Sequence, residues 1–305
     1  MRHNLSSAQA RLYTKSQMPV AATRPRPTAG WRFWRRSHAA AIGLGIVLAW
    51  GLVGTFAPVL APYTPIEQHL ADRLSPPSLS THPFGTDELG RDVLSRVLYG
   101  ARLSIPAGVA VVILTAMLGS ALGATAGFTG GVVDEVIMRF SDAVLAFPSL
   151  ILAMAITAGI GPGLVNALLA IVLVLWPEYA RLIRSQVLSI REMEYVTAAR
   201  ALGVPESRIL WRHVVPNAYP LVLVKASLDV GNVILIAAAL SFVGLGAVPP
   251  TPEWGAMVAA GRYKFFEWWV ATFPGLAIFT TVMGFNFLGD GLRDLSDARL
   301  RAMRA

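Results

Sequence analysis

The chain has 305 residues, of which 54% are hydrophobic and 14% are charged, and its formal net charge is +8. Together with a mean hydropathy of +0.55, this composition lies outside the ordinary soluble range and predicts an integral membrane protein. Cysteine is absent, which excludes disulfides, thiolate metal sites and cysteine nucleophiles. The basic residues border apolar runs and form no continuous stripe, so they do not favour nucleic-acid binding.

The N-terminal 36 residues form a basic tail with eight Arg and Lys and no acidic residue. We interpret its charge as a topology signal and an attraction to anionic lipids. The uncharged run that follows is longer than the apolar region of a secretory signal. Although "APVLAP" after it could imitate a cleavage site, we predict an uncleaved first transmembrane helix over residues 37–62.

Residues 63–100 separate the first two apolar runs and are expected to be extracytoplasmic. Thr86 is a candidate N-cap for a short helix, with Asp87 and Glu88 in its first turn. Four apolar residues would then share one face of that helix: Leu89, Val93, Val97 and Leu98. This pattern predicts a helix on the membrane surface before the second span, with a simple connector as the alternative.

Residues 101–290 are predicted to hold five further transmembrane helices, each needing about 20 residues. Their expected ranges are about 103–130, 141–159, 163–180, 221–246 and 268–289. The run from Ala143 to Pro177 would be about 50 Å long as one helix, and "GIGPG" at its middle predicts two spans joined by a tight turn. In the second span Gly119, Gly123 and Gly127 recur every four residues, which predicts close packing against another helix.

The distribution of positive charge distinguishes six spans from five. With six spans the inner segments hold 19 Lys and Arg and the outer segments six, whereas five spans would give 11 inside and 14 outside. The positive-inside rule therefore predicts six spans, with both termini cytoplasmic, including the tail at 291–305.

Motifs for catalysis are missing from the sequence. It has no GxxxxGK[ST], no HExxH and no GxSxG, and none of its three lysines follows a glycine. The chain therefore cannot form a Walker A phosphate loop, and a membrane enzyme is disfavoured.

A charged stretch at residues 178–217 stands out between two apolar runs. From Glu178 its apolar residues follow a helical period, which predicts an amphipathic helix continuing the fourth span. Gly203 is expected to end this helix, and Pro205 with Glu206 to begin a second short one that ends at Pro216. Two short helices without catalytic residues are suited to docking a partner.

Lys225 and Asp229 are four residues apart in the fifth apolar run and so lie on one helix face. An intramembrane carboxylate is a candidate for a proton or sodium pathway. The alternative, which we favour, is structural: Lys225 reaches the cytoplasmic end of the span and the two charges neutralise each other.

"TAARALG" at 197–203 and "HVVP" at 213–216 resemble the EAA loop of type-1 ABC importer permeases. Thr197 stands where that motif has Glu, His213 where it has Ile, and Val215 where it has Leu. Four residues match in type and spacing: Ala198, Ala199, Gly203 and Pro216. Three further stretches resemble the dipeptide and oligopeptide subgroup: "FGTDELGRDVLSRVLYGARLSI", "LSFVGLGAVPPTPEWGAM" and "FPGLAIFTTVMGFNFLGDGLRD". The similarity runs from Trp34 to the C-terminus, although Ala237 stands where the family often has Glu.

The resemblance implies an all-helical permease subunit of six transmembrane helices in the bacterial or archaeal inner membrane. It implies partners as well: a second permease, two ATPases that hold ATP and Mg²⁺, an extracytoplasmic binding protein and a di- or oligopeptide substrate, with no cofactor on this chain. Related subunits carry nickel chelates and other small solutes. The rival hypothesis is a secondary transporter that uses Asp229. The resemblance assigns coupling to the ATPase to ten residues: Thr197, Ala198, Ala199, Gly203, Val204, Pro205, Glu206, Arg208, His213 and Pro216.

Overall fold

A computed structural model describes the backbone of residues 38–304 and the side chains up to Asp294. The predicted basic tail at 1–36 lies outside the described residues. The structure confirms an all-helical architecture, with these helices: α1 (His38–Leu60), α2 (Val93–Thr129), α3 (Gly131–Leu145), α4 (Ser149–Ile160), α5 (Leu164–Ile190), α6 (Glu194–Ala201), α7 (Glu206–Ile209), α8 (Val215–Phe242), α9 (Trp254–Gly261) and α10 (Trp269–Arg304). A 3-10 turn lies at Leu70–Asp72, and a π-helical turn at Leu210–Val214 joins α7 to α8.

Five of the described helical stretches are long and apolar enough to cross a membrane: α1, α2, α5, α7 with α8, and α10. The helices α3 and α4 meet at a 92° bend and would add a sixth span only if taken together. Large apolar side chains such as Leu52, Phe56 and Leu114 are more than half exposed on the spanning helices. Such faces are typical of helices that contact lipid.

The third predicted span is not a single helix. One transmembrane helix was predicted over about 141–159, but α3 ends at Leu145 and α4 begins at Ser149. Pro148 causes the break, because its ring lacks an N–H and disfavours helical geometry at the residue before it. A helix break is present at "GIGPG", where the turn was predicted: α4 ends at Ile160, α5 begins at Leu164, and the glycines between them adopt positive φ.

The cap predicted at Thr86 was also wrong. The second long helix begins at Val93, where Asp92 accepts hydrogen bonds from the Ser95 backbone N–H and hydroxyl. The chain before it is a compact loop in which the Asp87 carboxylate accepts from the backbone N–H groups of Leu89 and Arg91. When an aspartate accepts hydrogen bonds from the backbone N–H groups two and four residues later in the chain, it stabilises a turn and not a helix.

Close packing of α2 against α5 organises the centre of the protein. Gly119, Gly123 and Gly127 face the backbone of α5, and a Cβ atom on each would clash there. This contact confirms the packing role predicted for the glycine repeat. At the other end of α2 the buried indole of Trp254 donates from Nε1 to the carbonyl of Val97 at 2.9 Å. These contacts fix α9 and α5 on opposite ends of one helix.

Candidate functional site

The site is the connecting segment between α5 and α8, which we define as residues 191–214. Its turn has the hydrogen bonds of a Schellman motif: Val204 N–H donates to the Ala199 carbonyl at 3.1 Å and Gly203 N–H to the Arg200 carbonyl at 2.9 Å. Gly203 has φ +75°, a conformation that glycine adopts without a Cβ penalty. The predicted order of helix, glycine turn and helix is therefore present.

Apolar side chains seat the connecting segment on the long helices. Val196, Ile209 and Val214 are fully buried and pack in one cluster with Ile183 and Val187 of α5. The same cluster includes residues of α2 and α8. Burying such side chains contributes about 1.5–3 kcal/mol each, so the segment is anchored by one face to three long helices. The amphipathic period read from the sequence is the pattern that produces this contact.

Polar contacts hold the same segment in place. Arg191 donates from Nη1 to the carbonyl of Gly127 at 2.8 Å, at the end of α2. Arg200 pairs with Glu206 across the Schellman turn at 3.0 Å and lies 5.7 Å from the centre of the Phe128 ring. Both groups of the Arg200–Glu206 pair are well exposed, so the pair adds little stability.

The predicted coupling residues divide between two faces. Ala199 and Val204 are half-buried against the cluster on the long helices, and His213 is half-buried as well. The others are exposed on the segment and at the start of α8: Thr197, Ala198, Gly203, Pro205, Glu206, Arg208 and Pro216. Around them Leu202 is 83% exposed and Trp211 is 55% exposed. The outer face therefore combines exposed apolar side chains with an exposed arginine, Arg208. Protein interfaces often have this composition.

Pro216 does not end the second short helix, contrary to prediction. The chain stays helical through Leu210–Val214 and enters α8 at Val215, with Pro216 in the first turn of α8. The Val215 N–H donates to the Leu210 carbonyl, five residues back. This wider π-helical turn makes room for the proline ring, which in an α-helix would clash with the carbonyl four residues earlier. The side-chain amide of Asn217 donates from Nδ2 to the His213 carbonyl at 2.6 Å.

Lys225 and Asp229 form the ion pair that the structural interpretation predicted, with Nζ 3.0 Å from Oδ2. Sequence reasoning missed the third member, Glu178 of α5, whose Oε2 lies 2.7 Å from the same Nζ. The lysine also lies 5.1 Å from the centre of the Tyr179 ring. These contacts join α5 to α8 just behind the connecting segment, and Asp229 is not an isolated intramembrane carboxylate.

A second ion pair near the site was not foreseen. Arg184 of α5 makes a two-pronged contact with Asp134 of α3, with Nε–Oδ1 at 2.5 Å and Nη2–Oδ2 at 2.6 Å. Paired bonds of this kind are stronger and more directional than single ones. The two residues are 50 apart in the chain, so no local pattern announces their contact. Among the described residues, no group of three or more His, Asp or Glu could hold a metal ion.

The helices and the segment define a polytopic membrane protein with an exposed helical segment between two long helices. Comparison with known proteins makes this specific. Residues 119–302 match the family described as "Binding-protein-dependent transport system inner membrane component", and residues 29–77 match "N-terminal TM domain of oligopeptide transport permease C". The chain belongs to the family of binding-protein-dependent ABC transport permeases, and it is an integral component of the inner membrane.

Relatives of similar length share much of the sequence. The chain is 49% identical over 255 residues to the probable D,D-dipeptide transport system permease protein DdpC of Escherichia coli K12, covering 83% of this chain and 85% of that one. It is 46% identical to the dipeptide transport system permease protein DppC of the same strain (89% and 92%). It is 44% identical to the DppC of Alkalihalophilus pseudofirmus (88% and 88%).

Among solved structures, one titled as inward-facing conformations of the MetNI methionine ABC transporter is similar to part of the chain. Its TM-score is 0.48 at 20% identity, over 61% of this chain and 91% of that one. At this TM-score the likeness is partial, and the family assignment rests on the sequence relatives.

Proposed function

We propose that this permease carries di- or oligopeptides and is driven by ATPase subunits that dock on the connecting segment. The observation that carries the proposal is the exposed outer face of α6 and α7, held by its inner face on α2, α5 and α8. The names of relatives at 44–49% identity support a dipeptide substrate. Nickel chelates and other small solutes are the alternative cargo.

The proposed assembly has this chain, a second permease, two ATPases and an extracytoplasmic binding protein. ATP and Mg²⁺ belong to the ATPase chains, because the sequence has no Walker A loop. In this arrangement the connecting segment and both termini are cytoplasmic, as the charge asymmetry favours. The loop at 63–92 is then extracytoplasmic, on the side from which a binding protein delivers substrate.

Leu202, Trp211 and Arg208 supply the contact in the proposed docking. Leu202 and Trp211 would lose their contact with water when the ATPase binds, while Arg208 would pair with an acidic group of the ATPase at the edge of the interface. Thr197 replaces the motif glutamate on the exposed face of α6, so the contact does not depend on a carboxylate at that place. Motion of the ATPases would reach the transmembrane helices through the buried cluster and through α8.

A secondary transporter that uses Asp229 is less consistent with these contacts. The Asp229 carboxylate is held by Lys225, and the lysine is shared with Glu178. A proton or sodium site needs a carboxylate that can exchange its cation, and a fixed ammonium group competes for that place.

Copurification and uptake test the proposal together. The tagged chain is expressed with candidate ATPase subunits and a candidate second permease from the same genome, and peptide uptake is measured in cells that lack other peptide importers. We expect the ATPase subunits to copurify with the tagged chain. We expect uptake to require ATP, and to continue when a protonophore removes the proton gradient while the ATP concentration is held constant. Uptake that stops with the protonophore would favour the secondary transporter. ATP-driven uptake of another solute, without peptide uptake, would overturn the proposed peptide substrate but not the proposed coupling to ATPases.

A further inference from the structure

The helix α3 has two chemically different faces. Val132, Val136 and Phe140 share one face and are 76%, 61% and 61% exposed. The charged residues of α3 lie toward the other face: Asp134, Glu135, Arg139 and Asp142. An exposed apolar face opposite a charged face is typical of a helix that lies in the interface between a bilayer and water.

The direction of α3 differs from that of the helices around it. The tight turn at 161–163 joins α4 to α5, and these two helices pack against each other along one direction. The 92° bend between α3 and α4 therefore places α3 nearly perpendicular to both. Asp134 and Asp142 are about two helical turns apart on α3. Their partners on α5, Arg184 and Arg181, are less than one turn apart, as expected for helices that cross.

Exposed charge gives the depth of α3 in the membrane. The side chains of Glu135, Arg139 and Asp142 are more than half exposed, and charged groups are expensive in hydrocarbon. The helix begins just after α2 ends, where the Gly127 carbonyl accepts from Arg191 of the connecting segment. The charged face of α3 is therefore at the membrane surface on the side of the connecting segment.

The crossing between α3 and the turn at 161–163 belongs to α4. Asp142, near the end of α3, pairs with Arg181, which lies about 27 Å along α5 from that turn. Because α4 packs against α5, α4 and its link through Pro148 cover the same distance. That distance is close to the roughly 30 Å hydrocarbon core, so α3 is not needed to complete the span.

An apolar groove lies beside α3, between α2 and α5. Its volume is about 360 Å³, within the range of about 300–1,000 Å³ that is usual for ligand pockets. Its lining is contributed by all three helices: Leu118, Leu122, Val136, Ile137, Phe140, Leu173 and Trp176. None of these side chains is charged, and only the indole of Trp176 carries a polar atom.

The groove opens toward the interior of the bilayer. Its residues on α2 and α5 precede Gly127 and Arg181 in the chain, so they lie farther from the connecting segment than the ion pairs of α3 do. One helical turn farther on, Leu114 and Leu169 continue the two walls and are about half exposed. The groove is thus continuous with the lipid-facing sides of α2 and α5.

We infer that α3 lies in the plane of the leaflet on the side of the connecting segment, and that an acyl chain of a phospholipid of that leaflet fills the groove. A hydrocarbon chain matches the lining, which offers almost no hydrogen-bonding partner to a polar solute. The lipid headgroup is then level with the charged face of α3. This inference depends neither on the transported solute nor on which side of the membrane is cytoplasmic.

Spin labels at single cysteines test the orientation. The chain, with the subunits that copurify with it, is reconstituted into vesicles of phosphatidylethanolamine and phosphatidylglycerol. Depth is measured from relaxation by oxygen and by a water-soluble nickel chelate for Val132→Cys, Val136→Cys and Phe140→Cys. We expect three similar depths and high accessibility to oxygen, whereas Arg139→Cys on the charged face should be accessible to the nickel chelate.

Two results would overturn the inference. A helix that crosses the membrane would place positions 132 and 140 at depths that differ by about 12 Å. Protection of the apolar positions from both reagents would show that another protein chain covers them.

A photoactivatable phospholipid with a diazirine in its acyl chain tests the occupant of the groove in the unmodified protein. After illumination the labelled residues are mapped by mass spectrometry. We expect labelling of Phe140 and Leu173 to exceed, several-fold, that of Leu52, which is exposed on α1 outside the groove. Labelling of Leu52 without labelling of the groove would contradict an acyl chain as the occupant.

A variant that fills the groove locates the bound chain. Leu118→Trp places a larger side chain in the groove and should reduce the labelling of Phe140 several-fold. Leu52→Trp makes the same change on an exposed apolar face elsewhere and should leave it unchanged. Equal labelling of Phe140 in both variants and the unmodified chain would show that the lipid reaches α3 from the open bilayer, and would overturn the groove as its site.

Discussion

Gly123 of α2 lies directly against the backbone of Ala180 in α5, so that a Cβ atom on the glycine would clash with the alanine carbonyl. A flexible side chain could move aside, but the backbone of a packed helix cannot. The contact is therefore a fixed point of the structure, and it lies in the middle of the helix pair that carries the connecting segment.

Gly123→Val is expected to force α2 and α5 apart. Overpacking of this kind costs about 1–3 kcal/mol or more, so the melting temperature of the purified chain should fall and less folded protein should be recovered. Gly51→Val is the matched control, because Gly51 is also in a spanning helix but has open space around its Cβ position. Equal loss in both variants would show that valine itself, and not the contact, is harmful.

Gly203→Asp is expected to leave the chain folded in the membrane but to abolish ATPase copurification and uptake. A Cβ at Gly203 meets no atom of this chain within 4 Å, so the internal penalty is limited to a backbone cost of about 1 kcal/mol. A carboxylate buried unpaired in an interface costs much more. Normal uptake with bound ATPase would show that the connecting segment is not the coupling element.

Two controls separate the causes in the Gly203 experiment. Gly203→Asn has nearly the same shape as the aspartate variant, tolerates positive φ and carries no charge, so it should retain more uptake. Gly131→Asp places the same residue at another glycine with positive φ and open surroundings, φ +58°. It lies outside the connecting segment and should keep ATPase binding.

The Lys225 contacts predict unequal effects of substitutions at Lys225 and Asp229. Lys225→Met leaves Glu178 and Asp229 as two unpaired carboxylates near one another and should lower both folded yield and uptake. Asp229→Asn keeps Lys225 paired with Glu178 at 2.7 Å and should have a modest effect on uptake. Complete loss of uptake in a well-folded Asp229→Asn variant would support the secondary transporter.

Labelling of single cysteines tests the orientation. The chain has no cysteine, so Pro162→Cys and Ser207→Cys each provide one thiol at an exposed position. An impermeant reagent added to intact cells should label position 162 and spare position 207, which should react only after the membrane is opened. Pro162 is preferable to its neighbours because Gly161 and Gly163 have positive φ. The opposite pattern of labelling would contradict cytoplasmic placement of the connecting segment.

Local patterns predicted some features of the fold and not others. The glycine repeat in α2 and the stop at Gly203 depend on the backbone within a few residues, so spacing was enough to find them. The turn at Asp87 was missed because an aspartate can either cap a helix or close a loop, and only the surrounding packing decides. Glu178 is 47 residues from Lys225, and such a partner is chosen by how α5 and α8 pack.

The absence of a break between α7 and α8 has a mechanical consequence. The π-helical turn at Leu210–Val214 keeps Glu206–Phe242 continuous over 37 residues, a rod about 55 Å long. No loop interrupts this helix at Pro216. In the proposed docking, a displacement of the exposed tip at Glu206 would therefore pass along one continuous helix toward Phe242, with no intervening loop between the ATPase contact and the transmembrane part of α8.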